Sequence, residues 1–246
     1  MAGLRIRAVP LAIAVLAIAL VSCEDPHALD PQPAATPASA AAVTFRTADG
    51  QTLDGRLWQN DPTRILIYLH EYREDQTRWW PVAEEPIGGQ PSMLAFDFRG
   101  HGASTGAADD LAGMTQDVQA AIQFARGRGF QRVALMGAGM GAAAGMVAVA
   151  HDPSIGVIGL SMPIEFGGLN PLEVAPLFAG RLVVIAAEDD VSARYSFEQL
   201  IAAAQVPPER RDLVKGHAHG VDLLAGSTGF SVRRFYEKAL PGLLRR

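Results

Sequence analysis

Gly137-Ala138-Gly139-Met140-Gly141 has the form of a corner that carries a nucleophile, and it carries none. In a Gly-x-Ser-x-Gly turn between strand and helix, the serine sits at a sharp, strained position with its hydroxyl exposed above the sheet. Here both outer glycines are present, but the middle residue is Gly139. The other side chains able to move protons are His70, the Asp97-to-Ser104 stretch, the trio Glu188-Asp189-Asp190, and the pair His217 and His219. Carboxylate, imidazole and hydroxyl together perform acyl transfer through a covalent ester. Gly139 has no atom to acylate, so that route is closed at this corner.

The elements that must position these groups follow from hydrophobic pattern. Residues 132–136, before the corner, read as a short buried strand, and residues 142–150, after it, as a small-residue helix packed against it. Residues 43–47 and 53–58 alternate apolar and polar around Asp49-Gly50, which predicts an edge hairpin. Residues 65–70, 93–98, 157–160 and 181–187 are continuous apolar runs, as expected of strands covered on both faces. Residues 212–214 make a last strand. Helices are expected over 78–84 around Trp79 and Trp80, over 115–126 with Thr115 as cap, over 196–204, and over 232–240, stopped by Pro241. Alternating buried strands and helices imply a mostly parallel sheet with helices on both faces and an N-terminal antiparallel hairpin. Each acid–base residue type falls just past the carboxyl end of a strand, where such sheets place their working sites.

Taken together, these residues resemble the α/β-hydrolase superfamily over nearly all of 43–246. His70-Glu71 is similar to the dienelactone-hydrolase branch, and Asp97-Phe98-Arg99-Gly100-His101-Gly102-Ala103-Ser104 to the Asp-x-Arg-Gly-x-Gly-x-Ser turn of esterases and peptidase-like members. The resemblance implies that Asp190, rather than Asp189, is the triad acid and His219, followed by Gly220, the base. It implies oxyanion donors at the Met140 N–H and in the Glu71-Tyr72 loop. It also implies that His70, Arg99 and His101 shape the turn rather than touch a ligand. Ser104 and Ser161 stand in motif-like positions, but neither follows the strand that must supply the nucleophile. Three functions follow. One is a degenerate serine hydrolase binding a small acyl or carboxylate ligand, or a partner. Another is an active hydrolase of small esters or lactones using a water activated by His219 and Asp190. The last is a structural envelope lipoprotein. No cofactor or metal is expected.

The N-terminus reads as an export signal: Arg5 and Arg7 precede an apolar run over 9–20 that is short for a bilayer span. Leu20-Val21-Ser22-Cys23 matches the bacterial lipobox, which implies a signal peptide over 1–22 and an acylated Cys23 holding the protein to a membrane of the cell envelope. Residues 23–42 then form a Pro/Ala-rich linker that reaches roughly 60 Å when extended. Residues 43–246 are long enough for one domain with a full core. Loss of 1–22 removes two arginines and no acid, moving the net charge from −5 to −7. With no basic block left, nucleic acid is not an expected partner.

Overall fold

The computed structural model describes residues 37–85 and 90–244. Cys23, the expected signal peptide over 1–22 and most of the expected linker lie outside the described residues. Eight strands form one sheet in the order β1-β2-β4-β3-β5-β6-β7-β8. They are β1 (Ala41–Arg46), β2 (Thr52–Trp58), β3 (Arg64–Leu69), β4 (Ser92–Phe96), β5 (Arg132–Ala138), β6 (Gly156–Leu160), β7 (Leu182–Ala187) and β8 (Arg211–Val214). β1 and β2 are an antiparallel hairpin and β2 joins β4 antiparallel, whereas β4, β3, β5, β6, β7 and β8 are mutually parallel.

The burial of each strand explains its place. Alternate residues of β1 are buried, as on an edge strand with one wet face, while every residue of β4, β6 and β7 is buried. Within β3, Ile65, Ile67 and Leu69 pack into one apolar layer and Leu66 and Tyr68 into the other. The first layer is closed by α2 (Met114–Gly127), α3 (Gly139–Ala148) and α5 (Val191–Ala203). The second is closed by α1 (Trp80–Glu84), a short turn of helix over Gly220–Leu224, and α6 (Gly226–Leu243). The structure adds α4 (Pro171–Val174) after β6. Among the described residues no helix is long and apolar enough to cross a membrane.

Two boundaries depart from expectation. Pro241 lies inside α6 instead of ending it. A proline near a helix end removes few hydrogen bonds, and Leu240, Leu243 and Leu244 are buried, so packing carries the helix past it. Thr115 does not cap α2: the N-cap is Gly113, and the Thr115 hydroxyl donates to the Ala112 carbonyl at 2.9 Å. Trp79 and Trp80 are both core residues, at 0 % and 7 % exposure.

β4 lies on one side of β3 and β5 on the other, so the chain reverses direction across the sheet between β3 and β5. Beyond the carboxyl ends of strands at such a reversal, neighbouring loops diverge and leave a crevice. Glu71 follows β3 and Gly139 follows β5, which puts both at that point.

Candidate active site

The corner at Gly139 forms as its glycines require. Gly139 has φ +46°, in the left-handed region that glycine enters without a Cβ clash. A side chain at Gly141 would strike the carbonyls of Leu69 and His70, so the start of α3 approaches β3 only because that position is bare.

His219 leaves the segment after β8 and reaches back to this corner. Its Nδ1 bonds Asp190 Oδ2, and its Nε2 lies 2.8 Å from Glu71 Oε1. Asp190 is itself anchored as the N-cap of α5, accepting from the Ala193 N–H at 3.1 Å and the Ser192 hydroxyl at 3.0 Å. The neighbouring pair, His217 and Asp189, is 3.9 Å apart and exposed. The structure therefore brings Gly139, Asp190 and His219 together.

Glu71 has a place that the resemblance did not assign to its side chain. A Cβ built on Gly139 would lie 2.5 Å from Glu71 Oε1 and 2.9 Å from its Cδ. A Cβ on Gly220, at φ +54°, would collide with Glu71 Oε2. The carboxylate is thus seated between two bare glycines, in the space a residue-139 side chain would fill. The signal was present in the sequence as an acid directly after His70, but its rotamer is a tertiary outcome.

His70 fixes the backbone of that loop. Its Nε2 accepts the Phe98 N–H at 2.9 Å, so Nδ1 carries the proton and donates to the Glu71 carbonyl at 2.8 Å. Burial pushes this imidazole down to about 4, which keeps it neutral. His219 moves the other way. The hydrogen bond to Glu71 outweighs desolvation and, with Asp190, lifts it to about 9. For Asp190, burial pushes the carboxyl up, but bonds from His219, Ala193 and Ser192 outweigh it and hold the carboxyl below its ordinary value. At neutral pH the site is one imidazolium between carboxylates.

The Asp97-to-Ser104 turn is structural. Asp97 accepts from the Gln76 and Ala103 N–H groups, and the Arg99 guanidinium bonds Asp117, Asp49 and Asp110 at 2 % exposure. His101 donates from Nδ1 to the Arg99 carbonyl at 2.9 Å. Ser104 bonds within the same turn, donating to the Asp97 carbonyl at 2.6 Å.

Over the corner opens a pocket of about 230 Å³ whose apolar wall is Tyr72, Met140, Pro163 and Phe166, with Glu71 and His219 at its floor. The expected oxyanion residues Met140, Glu71 and Tyr72 all line it. Ser161, which the sequence placed after a different strand, lines it as well.

A reversing, mostly parallel sheet with a strand–glycine corner–helix and an Asp–His pair from later loops defines the α/β-hydrolase fold. The family model for serine aminopeptidase, S33, matches residues 60–164, a stretch that includes the corner and stops before Asp190 and His219. The chain has the α/β-hydrolase fold, and the matched stretch is similar to that family. The uncharacterized protein YfhR of Salmonella typhi is 28% identical over 127 residues, covering 47% of this chain and 42% of that protein. The match therefore spans less than half the length of that relative. Among solved structures, Pyrococcus furiosus esterase Pf2001 superposes with a TM-score of 0.66 at 18% identity, covering 83% of this chain and 91% of that one. Dienelactone hydrolase from Anabaena variabilis gives 0.64 at 16% identity, covering 84% and 98%. At these identities the structural likeness concerns the fold.

Proposed function

We propose that residues 43–246 are a degenerate serine hydrolase that binds a small, neutral acyl ligand in the pocket above Gly139. The observation that carries this reading is the Glu71 carboxylate, which lies where a nucleophile's side chain would stand and bonds the imidazole that would have served it. A hydroxyl is missing at residue 139, and the imidazole is already engaged. The chain's own carboxylate also sits at the pocket floor, so a carboxylate ligand would meet a like charge there. A neutral ester, lactone or amide suits the apolar wall of Tyr72, Met140, Pro163 and Phe166.

Activation of a water by His219 and Asp190 is the weaker reading at neutral pH. An imidazole that is protonated up to about 9 has no free lone pair with which to take a proton.

Thermal stabilisation tests the binding reading. Short-chain neutral esters or lactones at about 100 times their Kd add about 2.7 kcal/mol of stability and raise Tm, whereas the matching carboxylic acids at equal concentration do not. Equal stabilisation by acid and ester would count against it. For the N-terminus the proposal is anchoring of the domain to an envelope membrane through acylated Cys23, with the linker as tether. Membrane fractionation and acyl labelling of Cys23→Ala test this, and retention of the acyl label in the variant would refute it.

A further inference from the structure

Charge is shared unevenly along this chain. Residues 226–246 carry five Lys or Arg and one Asp or Glu, a surplus of four cations in a chain of net −5, so the remaining residues carry −9. Most of that segment is α6. Among its described side chains the exposed positions are Gly226, Phe230, Ser231, Arg234 and Lys238. Phe230, Arg234 and Lys238 are four residues apart in turn, which sets them in one stripe along the helix. Phe230 is 65 % exposed, and the Arg234 guanidinium lies 5.7 Å from the centre of its ring. Arg233 is used within the fold instead, bonding Glu85 and donating to the Leu224 carbonyl at 2.8 Å. No carboxylate among the described residues pairs with Arg234 or Lys238, and the one acid on the helix, Glu237, is partly buried.

The chain enters the domain beside this helix. Ser39 donates to Glu84 Oε1 at 3.2 Å, and Ala40 packs against the apolar layer that α6 closes. The residue after Glu84, Glu85, bonds Arg233 of α6, the neighbour of Arg234. A short series of contacts thus joins the entering segment to the stripe. Residues 23–36 precede the first described residue, Pro37, and span about 50 Å at most. A lipid on Cys23 would hold the entry point within that distance of a bilayer.

We propose that the α6 stripe of Phe230, Arg234 and Lys238 lies on an anionic phospholipid surface. Anchoring through Cys23 supplies the nearness on which this rests, and the pocket plays no part. Arg234 and Lys238 meet headgroup phosphates, while the Phe230 ring enters the boundary between headgroups and acyl chains. Sign sets the orientation. An anionic surface repels the −9 remainder of the chain and attracts this face, so it selects which side turns toward the bilayer. Each Lys or Arg held near such a surface is worth about a fivefold change in affinity. The rival exposed apolar pair, Val191 and Tyr195, is on α5, which closes the opposite layer. The one cation of α5, Arg194, is paired with Glu198 at 3.2 Å, so that face offers no surplus charge to a phosphate.

The test places the full-length chain on vesicles of brominated phosphatidylcholine, with or without brominated phosphatidylglycerol. Trp58, Trp79 and Trp80 are core residues at 7 % exposure or less, so a tryptophan added at the exposed Phe230 reports against a shielded background. Phe230→Trp should lose about half or more of its added emission on the anionic vesicles and little on the neutral ones. Tyr195→Trp should lose little on either. Combining Phe230→Trp with Arg234→Glu and Lys238→Glu should abolish the difference, as should about 1 M salt, where the screening length falls to about 3 Å. An unquenched Phe230→Trp on anionic vesicles, equal quenching on neutral ones, or quenching at Tyr195→Trp instead overturns the inference and leaves the stripe to an acidic protein or to water. The anchor is read separately. A chain retained on both vesicles without quenching sinks this inference and leaves the anchor standing. A chain that washes off neutral vesicles, yet is quenched at Phe230→Trp on anionic ones, does the reverse.

Discussion

Arg99 and His219 are both cations clasped between carboxylates from separate segments, yet their surroundings give them opposite uses. Arg99 is 2 % exposed and bridges Asp49, Asp110 and the fully buried Asp117, three acids that the sequence scatters over nearly seventy residues. Its guanidinium stays charged at any working pH, so the cluster is a fixed clamp on the turn after β4. His219 has a side chain 44 % exposed, between Glu71 and Asp190, on the floor of a pocket. Its charge can be lost within an accessible pH range, and its partners face a space that a ligand can enter. The same ionic motif braces a turn where its cation is buried and lines a pocket where its cation is half-exposed.

The largest effect should come from breaking the buried clamp. Arg99→Leu leaves Asp117 buried without its cation, and the expected loss is about 3–5 kcal/mol in urea unfolding. Removing the exposed cation in His219→Ala should cost far less. Similar losses for the two variants would break the contrast.

A smaller effect is expected at the vacant corner. Gly139→Ser places a Cβ at φ +46° and against the Glu71 carboxylate, for a destabilisation of about 1–3 kcal/mol. Shortening Glu71 to Ala should restore part of it, because the two changes share one contact. Additivity in that double-mutant cycle would show that the carboxylate does not occupy the corner.

The smallest and sharpest effect is in the pH profile. His219 has a folded value of about 9, above its ordinary 6.5, so its contribution is full below about 6.5 and fades as pH rises through 9. His70 has a folded value of about 4, so its contribution is full above 6.5 and fades as pH falls towards 4. Tm should therefore decline on both sides of neutrality. Glu71→Gln should move the His219 resonance toward an ordinary imidazole titration and flatten the alkaline arm alone. A variant His219 that still titrates near 9 would show that Glu71 is not its main partner.

The strands of this protein are legible because their signal is local. Runs such as Ile65-Leu66-Ile67-Tyr68-Leu69 carry their burial in their composition. The ends of helices were less legible. Pro241 continues α6 because buried leucines around it outweigh one missing hydrogen bond, a balance no window of sequence displays. The nearness of Asp190 and His219 to Gly139 could be expected from their positions after consecutive strands, since a parallel sheet gathers those ends at one edge.

By itself the sequence determined a sheet with helices on both faces, the glycine corner, and the absence of a hydroxyl at residue 139. Each depends on residue type and near-neighbour pattern. Only the tertiary structure decided what fills that space and which helix lies beside the entering chain. The Glu71 rotamer is selected by two bare glycines, one after β5 and one after His219, that are far apart in the chain. The nearness of the entering chain to α6 is a matter of contacts among Ser39, Glu84, Glu85 and Arg233, and such contacts are settled between segments rather than along one.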